Sequence, residues 1–145
     1  VQGNQTVEAI HKKLGKIIWD YCGMSRNEKG LTKALKLVGG IKKEFWETVK
    51  IPGKFESFNT ELDKAGRVID FIELGDLMIR DALSRKESCG GHFREESQTE
   101  TGEAKRIDDK YSYVSAWEYK DNSDPTLNKE ELVFENIKLV ERSYK

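Results

Sequence analysis

Apolar residues near the start of the chain recur at intervals of three and four positions. The series consists of Val7, Ile10, Leu14, Ile17, Ile18 and Tyr21. This spacing places their side chains on one face of a helix, whereas Lys12, Lys13 and Lys16 fall on the solvent side. The pattern therefore predicts a first helix from about Asn4 to Cys22.

A second helix is predicted to begin at Ser25. Ser25 and Glu28 have the spacing of a capping box, in which the hydroxyl accepts from the amide three residues later and the glutamate reaches back. The apolar stripe that follows comprises Leu31, Ala34, Leu35, Val38, Ile41, Phe45 and Val49. The Gly39-Gly40 pair costs about 1 kcal/mol per glycine relative to alanine, so a bend is expected there. The Pro52-Gly53 pair should end the helix.

The third predicted helix is the longest. Asn59 can cap it, and no proline interrupts the sequence before about Glu87. Two adjacent apolar stripes run along it: Leu62, Ala65, Ile69 and Ile72 form one, and Val68, Phe71, Met78 and Ala82 form the other. An apolar arc this wide predicts that the helix lies between the other two. Short connections then favour an up-down-up three-helix bundle with crossing angles of roughly 20°.

The remaining sequence predicts a long loop and a hairpin. Residues 88–110 open with glycines and continue as a polar stretch without periodicity. Beyond them, Tyr113, Ser115, Trp117 and Tyr119 alternate with Val114 and Ala116, and Leu132, Phe134 and Asn136 alternate with Val133, Glu135 and Ile137. The two strands are separated by turn residues at 121–125, so an antiparallel hairpin is expected within about residues 111–140. An isolated hairpin is marginal in water, so its aromatic face should pack on other protein.

Length and composition fit one mainly α-helical domain over residues 1–145. The chain has 145 residues, of which 37% are hydrophobic and 35% charged, and its formal net charge is −1. This balance predicts a globular fold with a modest core. No apolar run approaches the roughly 18 residues of a membrane span, and no signal-peptide pattern is present. Because the sequence begins with Val1, we expect it to be a piece of a longer protein.

Metal and nucleotide sites are not predicted. Cys22 and Cys89 stand 67 positions apart, and the two histidines, His11 and His92, are also far apart in the sequence. This arrangement excludes zinc ribbons, histidine-rich metal sites and disulfide frameworks. Neither of the common glycine-rich phosphate-binding patterns occurs, so we assign no metal or cofactor ligand to this chain.

The densest group of chemically reactive residue types lies at positions 87–95. Cys89 could act as a nucleophile with His92 as its base, but three residues across a glycine turn is not a recurrent catalytic geometry. The favoured interpretation is structural: Gly90 and Gly91 supply positive backbone angles, while His92 and Arg94 tie the loop to its neighbours. We therefore predict no catalytic residue here.

The first 50 residues carry ten basic and five acidic side chains, a net of +5. A basic helical face can bind nucleic acid or anionic lipid. Here the lysines are spread over the solvent positions of two helices, so a solvated face is the preferred interpretation and no nucleic acid partner is expected.

Residues 82–95, ALSRKESCGGHFRE, resemble the A-x-x-R-x-E-S-R-G-A-H-x-R-[ED] stretch of succinate dehydrogenase and fumarate reductase flavoprotein subunits. In that family the stretch ends the long third helix of a spectrin-repeat-like C-terminal bundle, and a two-stranded tail follows. Residues 73–80 are similar to the family's helix, and residues 112–119 and 131–140 are similar to its terminal strands. The resemblance covers nearly the whole chain, with two departures: Cys89 replaces the usual arginine, and Gly91 the usual alanine.

The resemblance implies a role within a larger FAD-dependent oxidoreductase. In such an enzyme hydride passes between succinate or fumarate and FAD, and electrons move through an iron-sulfur subunit to quinone. The flavin- and substrate-binding residues belong to upstream domains. We therefore expect this domain to bind no cofactor, to be inactive alone, and to supply packing and subunit contacts.

The motif supplies the candidate interface residues, which are Arg85, Glu87, Ser88, Gly90, Gly91, His92, Arg94 and Glu95. The expected partners are the rest of the flavoprotein, the iron-sulfur subunit and, indirectly, the membrane anchor subunit. The expected location is the cytoplasmic side of the inner membrane.

Three alternatives remain. L-aspartate oxidases share the helix-ending motif, although the tail ending at residues 142–145 favours the succinate and fumarate branch. The chain could also be a free-standing helical interaction module or a small cysteine-histidine enzyme.

Overall fold

The computed structural model of the chain describes residues 3–54, 56–121 and 123–140. The chain folds into two compact units, Val1–Ser84 and Arg85–Lys145. The first is helical, and the second combines loops with a two-stranded sheet. The predicted turn at 121–125 includes Asn122, and the predicted tail includes residues 142–145; these positions lie outside the described residues.

The first unit is the predicted three-helix bundle. Its elements are α1 (Val7–Cys22), β1 (Ser25–Arg26), α2 (Glu28–Thr48) and α3 (Thr60–Ser84). Each of the three helices packs against the other two. None of the helices in the described part of the chain is long and apolar enough to cross a membrane.

The core of this unit follows the predicted stripes. Its buried members are Val7, Ile10, Leu14, Cys22, Leu31, Ala34, Val38, Ile41, Phe45, Val49, Ala65, Val68, Ile72, Ile79 and Ala82. The wide apolar arc of α3 is only partly used in this packing. Leu62, Phe71, Leu74 and Met78 lie on α3 but remain exposed. The helix therefore presents more apolar surface than the bundle covers.

Helix boundaries confirm one predicted cap and correct another. The Asn59 side chain accepts from the amides of Glu61 at 3.0 Å and Leu62 at 3.2 Å, as predicted for the start of α3. The predicted Ser25 cap of α2 is wrong, because Ser25 is in extended β1 and Asn27 accepts from the Gly30 amide at 2.7 Å.

Two predicted helix ends are also corrected. α2 runs through the glycine pair but ends at Thr48, before Pro52. Beyond it the backbone pairs with Gln5, whose carbonyl accepts from the Lys50 amide at 2.8 Å. α3 ends at Ser84 instead of Glu87, because the residues that follow join a polar network in the second unit.

The second unit contains β2 (Phe93–Arg94), α4 (Asp108–Tyr111), β3 (Tyr113–Glu118) and β4 (Thr126–Glu131). β3 and β4 form the predicted antiparallel hairpin, with Tyr113 opposite Glu131 and Glu118 opposite Thr126. The second strand was predicted at residues 132–137 from the alternation and at 131–140 from the family resemblance, and this position is wrong because β4 spans Thr126–Glu131. Residues 126–131 pair with β3 through backbone groups, so the pairing does not require apolar alternation of their side chains.

The predicted loop at 88–110 is more structured than its polarity suggests. The Thr99 amide donates to the Glu103 carbonyl at 2.8 Å, and the Lys105 amide donates to the Ser97 carbonyl at 3.0 Å. The predicted aromatic face of the hairpin is not continuous. Tyr113 is buried, but Tyr119 is exposed, and Phe134 lies beyond the strand and is half exposed.

Candidate functional site

The glycine turn that follows α3 is a tight hairpin of four residues. The Cys89 amide donates to the His92 carbonyl at 2.9 Å, and the His92 amide donates to the Cys89 carbonyl at 3.0 Å. Gly90 has φ of +57°, the left-handed region that favours glycine. Gly91 does not have a positive φ, so the prediction of two such glycines is correct only for Gly90.

The two reactive side chains of this turn, Cys89 and His92, lie in different surroundings. Cys89 is exposed, and His92 uses Nε2 to donate to the Arg85 carbonyl at 2.9 Å. Because this bond holds the proton on Nε2, only Nδ1 of the neutral ring could accept a proton. His92 thus ties the turn to Arg85, the residue that follows α3, and this contact agrees with the structural interpretation of the turn.

Arg85 and Glu87 form the centre of a buried polar network. Arg85 Nη1 lies 2.7 Å from Glu87 Oε1, and the Glu87 side chain is almost fully buried. The second carboxylate oxygen accepts from the Ile107 amide at 2.9 Å. This arrangement satisfies a buried charge through both an ion pair and a hydrogen bond, as burial of a carboxylate requires.

The Arg85 guanidinium also binds the start of the hairpin. It donates to the Tyr111 carbonyl at 3.3 Å and to the Tyr113 carbonyl at 3.2 Å. Its central carbon lies 5.1 Å from the centre of the Tyr113 ring, within the range of a cation-π contact. Lys129 approaches the same ring at 4.3 Å. One arginine therefore connects the motif, α4 and β3.

Ser88 and Arg94 close the other side of the network. Ser88 Oγ accepts from the Arg94 amide at 2.8 Å and donates to the Arg94 carbonyl at 3.2 Å. The Arg94 side chain is buried, and its Nε lies 3.1 Å from Glu96 Oε2. Ser97 Oγ donates to the Lys86 carbonyl at 2.9 Å. Both serines thus bind backbone groups instead of presenting a hydroxyl for chemistry.

The structure brings most of the predicted site residues together, but as a structural network. Glu95 differs from the others because its side chain is exposed. Sequence reasoning missed Glu96, Ser97, Ile107 and the two tyrosines of the network. They carry no motif of their own, and three contribute through backbone atoms that any residue type provides. Tyr111 and Tyr113 lie 26 and 28 positions from Arg85 in the sequence, so no local spacing indicated their contact with it.

Two features of the described residues bear on metal and phosphate binding: clusters of metal-ligating side chains, and the N-termini of the helices. Among residues 3–54, 56–121 and 123–140, no group of three histidine, cysteine, aspartate or glutamate side chains could hold a metal. The first turns of α1, α2 and α3 carry the acidic residues Glu8, Glu28, Glu61 and Asp63. Negative charge there opposes a phosphate group at a helix N-terminus, so these helices do not offer the usual dinucleotide cradle.

Comparison with known proteins assigns the fold to a family. Residues 11–144 match the family of fumarate reductase flavoprotein C-terminal regions, so the chain belongs to this family. A solved quinol-fumarate reductase with menaquinol molecules matches 94% of this chain and 23% of its own with a TM-score of 0.79. At 20% sequence identity, this likeness shows the fold alone.

Curated relatives are much longer than this chain. The 8-methylmenaquinol:fumarate reductase flavoprotein subunit of Wolinella succinogenes is 28% identical over 94% of this chain and 21% of its own length. An uncharacterized FAD-dependent oxidoreductase of Methanocaldococcus jannaschii is 32% identical over 66% of this chain and 17% of its own. A chloroplastic L-aspartate oxidase of Nicotiana tabacum is 32% identical over 58% of this chain and 13% of its own. The chain thus spans about a fifth or less of these relatives.

Proposed function

We propose that this chain is the C-terminal domain of a flavoprotein subunit in an FAD-dependent oxidoreductase that interconverts succinate and fumarate. In the proposed enzyme the domain contributes packing and subunit contacts, and FAD and substrate are held by the rest of the flavoprotein. The observation that carries this role is the polar network around Arg85 and Glu87. Its charged and hydroxyl groups bind each other and backbone atoms, which suits a structural element.

The proposed partners are the remainder of the flavoprotein chain and an iron-sulfur subunit, with a membrane anchor subunit beyond it. We propose residues 92–140 as the contact surface, which comprises the segment from His92 to Lys110, the hairpin and the residues that follow β4. Exposed apolar side chains support this proposal, and they include Tyr119, Val133, Ile137 and Val140. The complex would then lie on the cytoplasmic side of the inner membrane.

An L-aspartate oxidase is the second candidate, and the extent of the match to the Wolinella succinogenes subunit favours the fumarate reductase branch over it. The Wolinella succinogenes fumarate reductase subunit aligns with 94% of this chain, whereas the L-aspartate oxidase aligns with 58%. A full-length flavoprotein that contains this chain should therefore oxidise succinate or reduce fumarate. Turnover of L-aspartate without turnover of either compound would contradict the proposal.

Titration of FAD with the 145-residue chain tests the proposal that FAD is held by the rest of the flavoprotein and not by this domain. We expect flavin fluorescence to stay unchanged at micromolar chain concentrations, since the acidic first turns repel phosphate. The full-length flavoprotein, prepared without its FAD, is the positive control. Stoichiometric quenching by the 145-residue chain would show that the cofactor assignment is wrong.

A further inference from the structure

An apolar groove runs between α1 and α3 on the surface of the helical unit. It has a volume of about 310 Å³, and none of the described residues that line it is Asp, Glu, Lys or Arg. Its larger apolar side chains are Leu14, Ile18, Trp19, Phe71, Leu74 and Met78. Trp19 is 83% exposed and Leu74 is 54% exposed, although both are residues that folding normally buries.

The groove is also ordered by contacts within the unit. His11 stacks on the Phe71 ring with centroids 5.3 Å apart. Phe71, Leu74 and Met78 are among the apolar α3 side chains that the bundle leaves exposed. The surface is thus preformed, concave and apolar, which is typical of the fully buried centre of a protein interface.

A second groove, between α1 and α2, has a different character. It has a volume of about 520 Å³, and Lys12, Lys13, Lys16 and Asp20 line it beside apolar residues. Lys13 pairs with Glu44 across the two helices, and Lys16 lies 3.0 Å from Asp20. Because these charged side chains are paired and partly exposed, this groove can remain in contact with water without a partner. Two grooves of the same bundle therefore differ in what can occupy them.

We infer that the groove between α1 and α3 is the docking surface for an apolar segment of the remaining flavoprotein chain. This inference rests on the proposed function. A groove without charged lining residues matches an obligate interface more closely than a transient one, because separated partners would expose the apolar surface to water. The chain spans 21% of the Wolinella succinogenes relative, so a partner region in one polypeptide is available at high effective concentration.

The other occupants fit less well. A second copy of this chain would have to associate at cellular concentrations to keep Trp19 covered, whereas a linked region does not. A separate subunit would leave the groove exposed before assembly. Trp19 is the expected anchor, since tryptophan in an apolar pocket commonly dominates the energy of an interface.

Oxidative footprinting provides the test, and the chain supplies matched controls. Hydroxyl-radical oxidation would be measured at Trp19 and Met78 in the 145-residue chain and in the full-length flavoprotein. Trp46, on α2, is 55% exposed, and Met24, after α1, is 91% exposed; neither lines the groove. We expect oxidation of Trp19 and Met78 to fall by about tenfold in the full-length protein, as at a dry interface core, with smaller changes at the controls.

Unchanged oxidation at Trp19 and Met78, or equal protection of all four residues, would overturn the inference. Loss of Trp19 oxidation in the 145-residue chain at high concentration, together with dimers in sedimentation, would assign the groove to a second copy and also overturn it. Succinate and fumarate turnover of the same full-length preparation is measured separately. If Trp19 and Met78 are protected but neither succinate nor fumarate is turned over, the proposed function is contradicted while the docking inference is supported.

A variant pair gives an independent readout. Leu74→Glu places a charge in the apolar groove, and Leu37→Glu places one in the charged groove between α1 and α2. In the full-length flavoprotein we expect Leu74→Glu to restore Trp19 oxidation to the rate in the 145-residue chain. Leu37→Glu should leave Trp19 protected. Equal protection in both variants would contradict the inference, and circular dichroism of the 145-residue variants verifies their folding.

Discussion

The two units of this chain are stabilised in different ways. In the described part of the chain, every buried hydrophobic residue except Tyr113 belongs to the helical unit. The buried polar and charged residues, Glu87, Ser88, Arg94 and Ser97, all belong to the second unit. The helical unit therefore depends on removal of apolar surface from water, whereas the second unit depends on specific hydrogen bonds and ion pairs.

This difference determines how each unit should tolerate substitution. An apolar core accepts side chains of similar shape and loses stability mainly when volume is removed. A buried polar network loses stability when a single partner is removed, because the other partner then remains buried without compensation. One substitution that changes only side-chain volume and another that changes only charge can therefore distinguish the two kinds of stabilisation.

The largest effect is expected in the helical core. Leu31 is fully buried, so Leu31→Ala should lower the free energy of unfolding by about 2–5 kcal/mol. Leu62 is half exposed on α3, and Leu62→Ala serves as the control, with an expected loss below about 1 kcal/mol. Urea unfolding followed by helical circular dichroism measures both. Equal losses would contradict the core assignment.

A smaller effect, confined to the second unit, is expected for Glu87→Gln. The amide keeps the shape of the side chain but leaves Arg85 without its carboxylate partner. We expect a loss of about 1–3 kcal/mol, the usual range when a buried, charge-assisted hydrogen bond is broken. The nearest readout is the Ile107 amide, which donates to Glu87 and should exchange hydrogen faster.

Glu95→Gln is the matched control for Glu87→Gln, because it removes the same charge from an exposed carboxylate nearby. It should leave exchange at Ile107 unchanged. If both variants accelerate exchange equally, net charge and not the buried network is responsible, and the comparison between the two units fails.

The same contrast explains what the sequence could predict. The three helices and their core stripes were predictable because burial follows the helical period directly, as for Ile10, Leu14 and Val38. The hairpin was predicted, but β4 was misplaced because its residues pair through backbone groups and lack the apolar alternation by which strands are recognised. Similarly, the helix-ending motif identified Arg85 and Glu87 without indicating their partners. Those partners are largely backbone groups, which sequence patterns do not distinguish.

The sequence also showed that α3 has an unusually wide apolar arc, but it did not show which part of that arc the bundle would leave exposed. The two stripes of α3 predicted a helix between two neighbours, and α3 does contact both α1 and α2. Phe71 and Met78 nevertheless remain exposed. An arc wider than the bundle can cover is thus informative about an additional neighbour, here proposed to be another region of the flavoprotein.

Each unit contains one thiol, and the two thiols extend the comparison to a chemical probe. Cys22 is buried at the end of α1, whereas Cys89 is exposed in the glycine turn. Burial raises the pKa of the Cys22 thiol above its ordinary value of 9.0, an effect that nearby Arg26 partly opposes. At mildly alkaline pH a thiol reagent should therefore modify Cys89 quickly and Cys22 only after unfolding.

The smallest expected effect is the contribution of Cys22 to stability at high pH. In the unfolded chain the thiol ionises near pH 9.0, whereas the folded state keeps it protonated to a higher pH. Above that value the folded state binds more protons than the unfolded state, so stability falls as pH rises, by at most about 1.4 kcal/mol per pH unit for one proton. Urea unfolding from pH 8 to 10 should therefore show a steeper decline for the unmodified chain than for Cys22→Ala. Because Cys89→Ala removes an exposed thiol, it should decline as steeply as the unmodified chain; parallel curves for all three proteins would contradict the burial argument for Cys22.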